Sequence, residues 1–130
     1  MKNIYTWAAK PAKRTLTVGD LKAAKGKRKF TQVTANSIDE AEAAEKAGFD
    51  MIISNAKNVI PVREGSRNLF LTAALVLNEF VTADDIMRGA FKALENGADA
   101  VMTPRSMDIC LLYTSPSPRD LSTSRMPSSA

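Results

Sequence analysis

One pattern occurs twice in this sequence and limits what the chain can fold into. Ser37 … Ala47-Gly48-Phe49-Asp50 and Thr82 … Asn96-Gly97-Ala98-Asp99 both read cap, helix, glycine, aspartate, strand. In each, a hydroxyl side chain offers an acceptor to the free amides of a helix start, and a glycine supplies the left-handed residue that ends the helix. Ser37-Ile38-Asp39-Glu40 has the form of a capping box, with Glu40 reaching back to the cap. Asp84 and Asp85 stand where the positive end of a second helix favours acids, and Ile86, Phe91 and Leu94 give that helix its apolar anchors.

Strands fit between these helices. FTQVTA (30–35) is the first and FDMIIS (49–54) the second. NLFLTAALVL (68–77) is a continuous apolar run that suits a strand buried on both faces, and DAVMTP (99–104) is the fourth. AKNVIPVREGSR, between strands two and three, has room for a turn or two of helix, because Pro61 breaks a longer one. Successive β-α-β units with short loops predict parallel strands with right-handed crossovers. The spacing suits either a doubly wound sheet or a (β/α)8 barrel.

Charge separates a leader from this unit. Residues 1–29 carry nine Lys or Arg against Asp20 alone, whereas residues 30–109 carry seven against twelve acids. The leader is expected to be a solvated lead-in with a short helix. It lacks the interleaved aromatics of a base-stacking platform, so nucleic acid is not an expected partner. It also lacks the apolar core of a signal peptide, and no apolar run approaches the roughly 18–20 residues of a membrane span. With Cys110 the sole cysteine, the expectation is a reducing, cytoplasmic setting without membrane partners. The sequence has no histidine, which removes the commonest general base and most zinc sites.

From Cys110 the sequence changes character. CLLYTSPSPRDLSTSRMPSSA is dominated by Ser, Thr and Pro, with neither helical period nor alternation. It resembles the translation of a sequencing-library adapter and is expected to be disordered and foreign to the fold. The expected organisation is thus a basic leader (1–29), a partial (β/α) barrel of about four parallel strands (30–109) and this tail (110–130), the barrel being truncated before its second half.

Taken together, TVGDLKAAKGKRKFTQVTANSIDEAEAAEKAGFDMIIS is similar to the opening of the ketopantoate (3-methyl-2-oxobutanoate) hydroxymethyltransferase family, and the resemblance extends over residues 15–109. Val18-Gly19-Asp20-Leu21-Lys22 has the form of that family's short first helix, Phe30 to Ser37 that of its first strand, Phe80-Val81-Thr82 that of a later helix start, and Gly97 to Val101 that of the entry to strand four. The resemblance implies a TIM-type barrel, a cytoplasmic homo-oligomeric parent protein and an aldol-type one-carbon transfer to a 2-oxo acid in pantothenate biosynthesis. It also implies Mg2+ and methylenetetrahydrofolate as cofactors. The family's metal aspartate after strand two corresponds to Asn55 here, its second aspartate to Ala74, and its Lys-x-Glu to Met102-Thr103-Pro104. No metal ligand and no catalytic residue is therefore assigned in this chain. The alternative is a re-purposed barrel module that binds a small anionic metabolite.

In a parallel barrel the functional face is the carboxyl end of the strands. The candidate substrate-binding residues there are Thr34, Asn36, Ser54, Asn55, Lys57, Thr72 and Arg105, with Thr103 beside them. Lys57 and Arg105 together have the chemistry to grip a carboxylate or phosphate.

Overall fold

The computed structural model describes residues 1–104, so Arg105 and the Ser/Pro-rich tail lie outside the described residues. The elements run β1 (Lys2–Tyr5), β2 (Pro11–Arg14), α1 (Val18–Ala23), β3 (Gln32–Thr34), α2 (Ile38–Lys46), β4 (Met51–Asn55), a 3₁₀ turn (Ala56–Asn58), α3 (Val59–Gly65), β5 (Phe70–Ala74), α4 (Ala83–Glu95) and β6 (Ala100–Met102). β3, β4, β5 and β6 form one parallel sheet in that spatial order. One registered row crosses all four strands: Thr34 opposite Ile53, Ile53 opposite Thr72, and Thr72 opposite Ala100.

The helix boundaries follow from the two repeated cassettes. The Ser37 hydroxyl accepts from the Glu40 amide at 3.3 Å. The Glu40 carboxylate, however, takes the N–H of Asn36 rather than that of Ser37, one residue upstream of the expected reciprocal bond. Thr82 and Asp85 complete a reciprocal box at the start of α4. Gly48 and Gly97 follow the two helices with φ of 83° and 114°. Pro61 falls in the first turn of α3, where no intrahelical N–H partner is required, so the helix forms but stays short.

The aspartates that close the cassettes do the same job twice. The Asp50 N–H donates to the Thr31 carbonyl while its carboxylate accepts the Thr31 N–H, stitching the entry of β4 to that of β3. Asp99 does this with Leu71, stitching β6 to β5. Each carboxylate also holds an arginine, Arg28 for Asp50 and both Arg14 and Arg63 for Asp99.

One sheet face carries the core. Ile52, Leu71 and Ala73 pack with Ala41 and Ala44 of α2, Val59 and Val62 of α3, and Ile86, Ala90 and Ala93 of α4. Small residues let the helices approach closely. A Cβ on Gly65 would lie 2.3 Å from the Ile38 carbonyl oxygen, so the α2–α3 contact requires glycine at that point. On the other face the alternate residues Met51, Ile53, Thr72, Ala74 and Ala100 are only half-buried. Among the described residues no helix is long and apolar enough to cross a membrane.

The leader differs from the expected lead-in. Lys2–Tyr5 and Pro11–Arg14 pair as an antiparallel hairpin, and only Val18–Ala23 is helical. Thr17 and Asp20 cap that helix reciprocally, and Asp20 also pairs with Lys2. The hairpin is joined to the fold by Arg14 and by Trp7, whose ring stacks on Phe91 of α4 at 5.7 Å between centroids. Phe91 is consequently a surface contact for the leader rather than the core anchor expected from its helical position, where Ala90 and Ala93 do the packing.

Candidate functional site

The carboxyl ends of β3 and β4 bring three asparagines together. Asn36, just past β3, accepts at Oδ1 from the Asn55 N–H at 2.9 Å and from Nδ2 of Asn58 at 3.1 Å. Oδ1 of Asn55 in turn accepts from the Lys57 N–H at 3.1 Å, which starts the 3₁₀ turn. The carbonyl oxygens of Asn36 and Asn55 are thus committed to the backbone and to each other's loops. The Nδ2 groups of Asn36 and Asn55 remain as donors without a partner among the described residues.

Beside this amide cluster the rim is apolar. Ala74, Leu75, Val76, Leu77, Met102 and Pro104 line a hollow of about 330 Å³ at the ends of β5 and β6. The row that crosses the strand ends reads Asn55, Ala74, Met102 by direct pairing. Thr34 and Thr72 lie two residues further down the strands, on the half-buried face, with Ile53 between them.

The remaining candidates part from this group. Ser54 pairs with Ala73 on the helix-covered face and is 1% exposed, with no hydrogen-bond partner for its hydroxyl. Lys57 is drawn toward α4, where Nζ meets Glu79 at 3.1 Å in a cleft that Asp85, Arg88 and Phe80 also line. Thr103 lies next to the rim, and Arg105 is outside the described residues. Of the expected residues, Asn36 and Asn55 meet at the strand ends, whereas Thr72 sits in the middle of β5, in one row with Thr34; sequence reasoning missed the neighbours Asn58 and Glu79. The Asn55-x-x-Asn58 spacing across a turn is the signal that points to Asn58; Glu79 has none, because its partner is 22 residues away.

Magnesium, which the family resemblance implies, does not fit this rim. The ion takes oxygen donors in near-octahedral array, and the row offers an amide, a methyl and a thioether. Among the described residues no group of three or more Asp, Glu, Cys or His side chains is placed to hold a metal ion.

A second polar centre lies at the opposite, amino end of the strands. Arg14, 3% exposed, and Arg63, 13% exposed, both bond the Asp99 carboxylate at 2.9 Å. Their other N–H groups donate to the carbonyls of Lys13, Arg67, Ser66, Leu69 and Gly97. Burial, only partly offset by Asp99 and aggravated by the facing Arg14, pushes the Arg63 guanidinium down to about 10.

The architecture defines a protein with a four-stranded parallel sheet in consecutive order, helices packed on one face and, among the described residues, a half-buried second face without a core helix. No protein-family model matches the chain, and no curated protein matches it.

Proposed function

We propose that the chain is the first half of a (β/α)8 barrel related to the ketopantoate hydroxymethyltransferases, and that its rim binds a small 2-oxo acid without a metal ion. The barrel reading is supported by the strand order, which never reverses, and by the placement of α2, α3 and α4 against one sheet face. A doubly wound sheet reverses its order and carries helices on both faces.

The observation that carries the functional reading is the division of the rim into an amide half and an apolar half. Nδ2 donors from Asn36 and Asn55 suit a carboxylate and its adjacent carbonyl, and the hollow beside them suits a branched alkyl group. The same row lacks the carboxylates that a metal-dependent enolisation needs, which favours binding over the family's transfer chemistry.

Calorimetric titration of the full chain with 3-methyl-2-oxobutanoate, in EDTA and then in magnesium, tests this. The expected result is weak binding that is the same in both buffers and is lowered by Asn55→Ala. Binding that requires magnesium would restore the transferase reading, and no binding in either buffer would remove the rim as a site.

A further inference from the structure

The basic leader leaves a charge unexplained by the rim, and its fold shows where part of that charge goes. β2 and α3 enclose a groove of about 530 Å³ at the amino end of the sheet, on the far side from the rim. Lys10, Lys13 and Arg14 of the hairpin face Arg63 and Arg67 across it. Five cations there meet Glu64 on the wall and Asp99 beneath the floor, and Glu45 of α2 also acts on Arg63.

The floor itself carries surplus positive charge. Two guanidiniums share Asp99 with little access to water, and dipoles of backbone carbonyls complete their bonding without cancelling the second charge. On the rim of the groove Lys10, Lys13 and Arg67 are exposed and make no ion pair among the described residues. Between them Pro11, Ala12 and the exposed Ile60 form an apolar wall.

We infer that this groove is a binding site for a small phosphate monoester, its phosphate held by Lys10, Lys13 and Arg67 and its body laid against Pro11 and Ile60. A phosphate answers the surplus charge, and Arg67 has the planar donors to take two of its oxygens. The apolar wall selects an ester with a ring or hydrocarbon body over the free ion. A nucleic-acid strand suits the surface less well, because the cations do not form a continuous stripe. Lys2 is spent on Asp20, Arg28 on Asp50 and the ring of Phe30, and Trp7 is stacked on Phe91 outside the groove.

The test is calorimetric titration of the full chain with adenosine 5′-monophosphate, with adenosine and inorganic phosphate as separate probes. The monophosphate is expected to bind more tightly than either, and its affinity to fall as salt rises. The double variant Lys13→Ala/Arg67→Ala, both exposed side chains, is expected to weaken it by about tenfold or more at an unchanged circular dichroism spectrum. Glu64→Gln is expected to tighten it. Saturating 3-methyl-2-oxobutanoate is expected to leave it unchanged, since the two sites lie at opposite strand ends. Equal affinity for adenosine and its monophosphate would overturn the proposal, as would a double variant that binds normally. Tight binding of a single-stranded oligonucleotide with no binding of the monophosphate would overturn it in favour of a nucleic-acid surface.

Discussion

At Asp99 one carboxylate joins three parts of the chain, accepting from Leu71 of β5, Arg14 of β2 and Arg63 of α3. Asp99→Asn keeps the shape and removes the charge, leaving two buried guanidiniums without a counter-ion. Breaking such a pair costs about 3–5 kcal/mol, a large fraction of the stability of an ordinary domain. Urea unfolding should therefore show a much lower midpoint or no folded baseline, and a loss under about 1 kcal/mol would mean that water reaches the pair. Ser54 makes the opposite case. Its hydroxyl is buried without a partner, so Ser54→Ala should raise stability by about 1 kcal/mol in the same assay and leave 2-oxo acid binding unchanged. A serine at a strand end reads as a site residue in the sequence. Which face it occupies depends on the register of β4 against β5, and a shift of one residue reverses it.

Elements were legible wherever a local signal ends them. Ser37 and Thr82 start α2 and α4, and the glycines stop them, because capping is chemistry between near neighbours. The strands are shorter than their apolar runs: β5 ends at Ala74, while Leu75 continues the core as the first residue of the following loop. The hairpin of β1 and β2 left no such trace. KNIY and PAKR are polar, edge-like strands without apolar alternation, and what fastens them is Arg14 on Asp99, 85 residues away. The cap of α4 gives a prediction at this scale. The Thr82 N–H, then its hydroxyl, hold the Asp85 carboxyl below its ordinary 3.8. A lowered folded value means that the cap's contribution is complete above the ordinary range, declines as pH falls below it, and is lost beneath the folded value. Carbon NMR of the Asp85 carboxyl should give a midpoint under 3.8, and Thr82→Ala should move it only part of the way back, since the backbone N–H remains. An ordinary midpoint in the native chain would show that the box does not close in solution.

The whole molecule ends its sheet on two strands with one neighbour each among the described residues, β3 and β6. Both offer parallel backbone donors and acceptors, and the face between them presents Met51, Ile53, Ala74 and Ala100 half-covered, with Met102 exposed at one edge. A second copy of the chain would pair these edges and cover this face. Strands of the same sense in the same consecutive order, doubled about an axis along the sheet, would let β6 of one copy pair with β3 of the next, and eight parallel strands close a barrel. Because each edge then meets a different edge, closure after two copies yields a discrete dimer, whereas failure to close yields open assemblies. Light scattering across a concentration series should therefore show self-association. Met102→Lys, which places a charge at the exposed edge of this half-covered face, should shift the chain toward monomer without changing its circular dichroism. A wild-type chain that stays monomeric at high concentration and melts cooperatively would mean that the half-covered face and the strand edges do not mediate association.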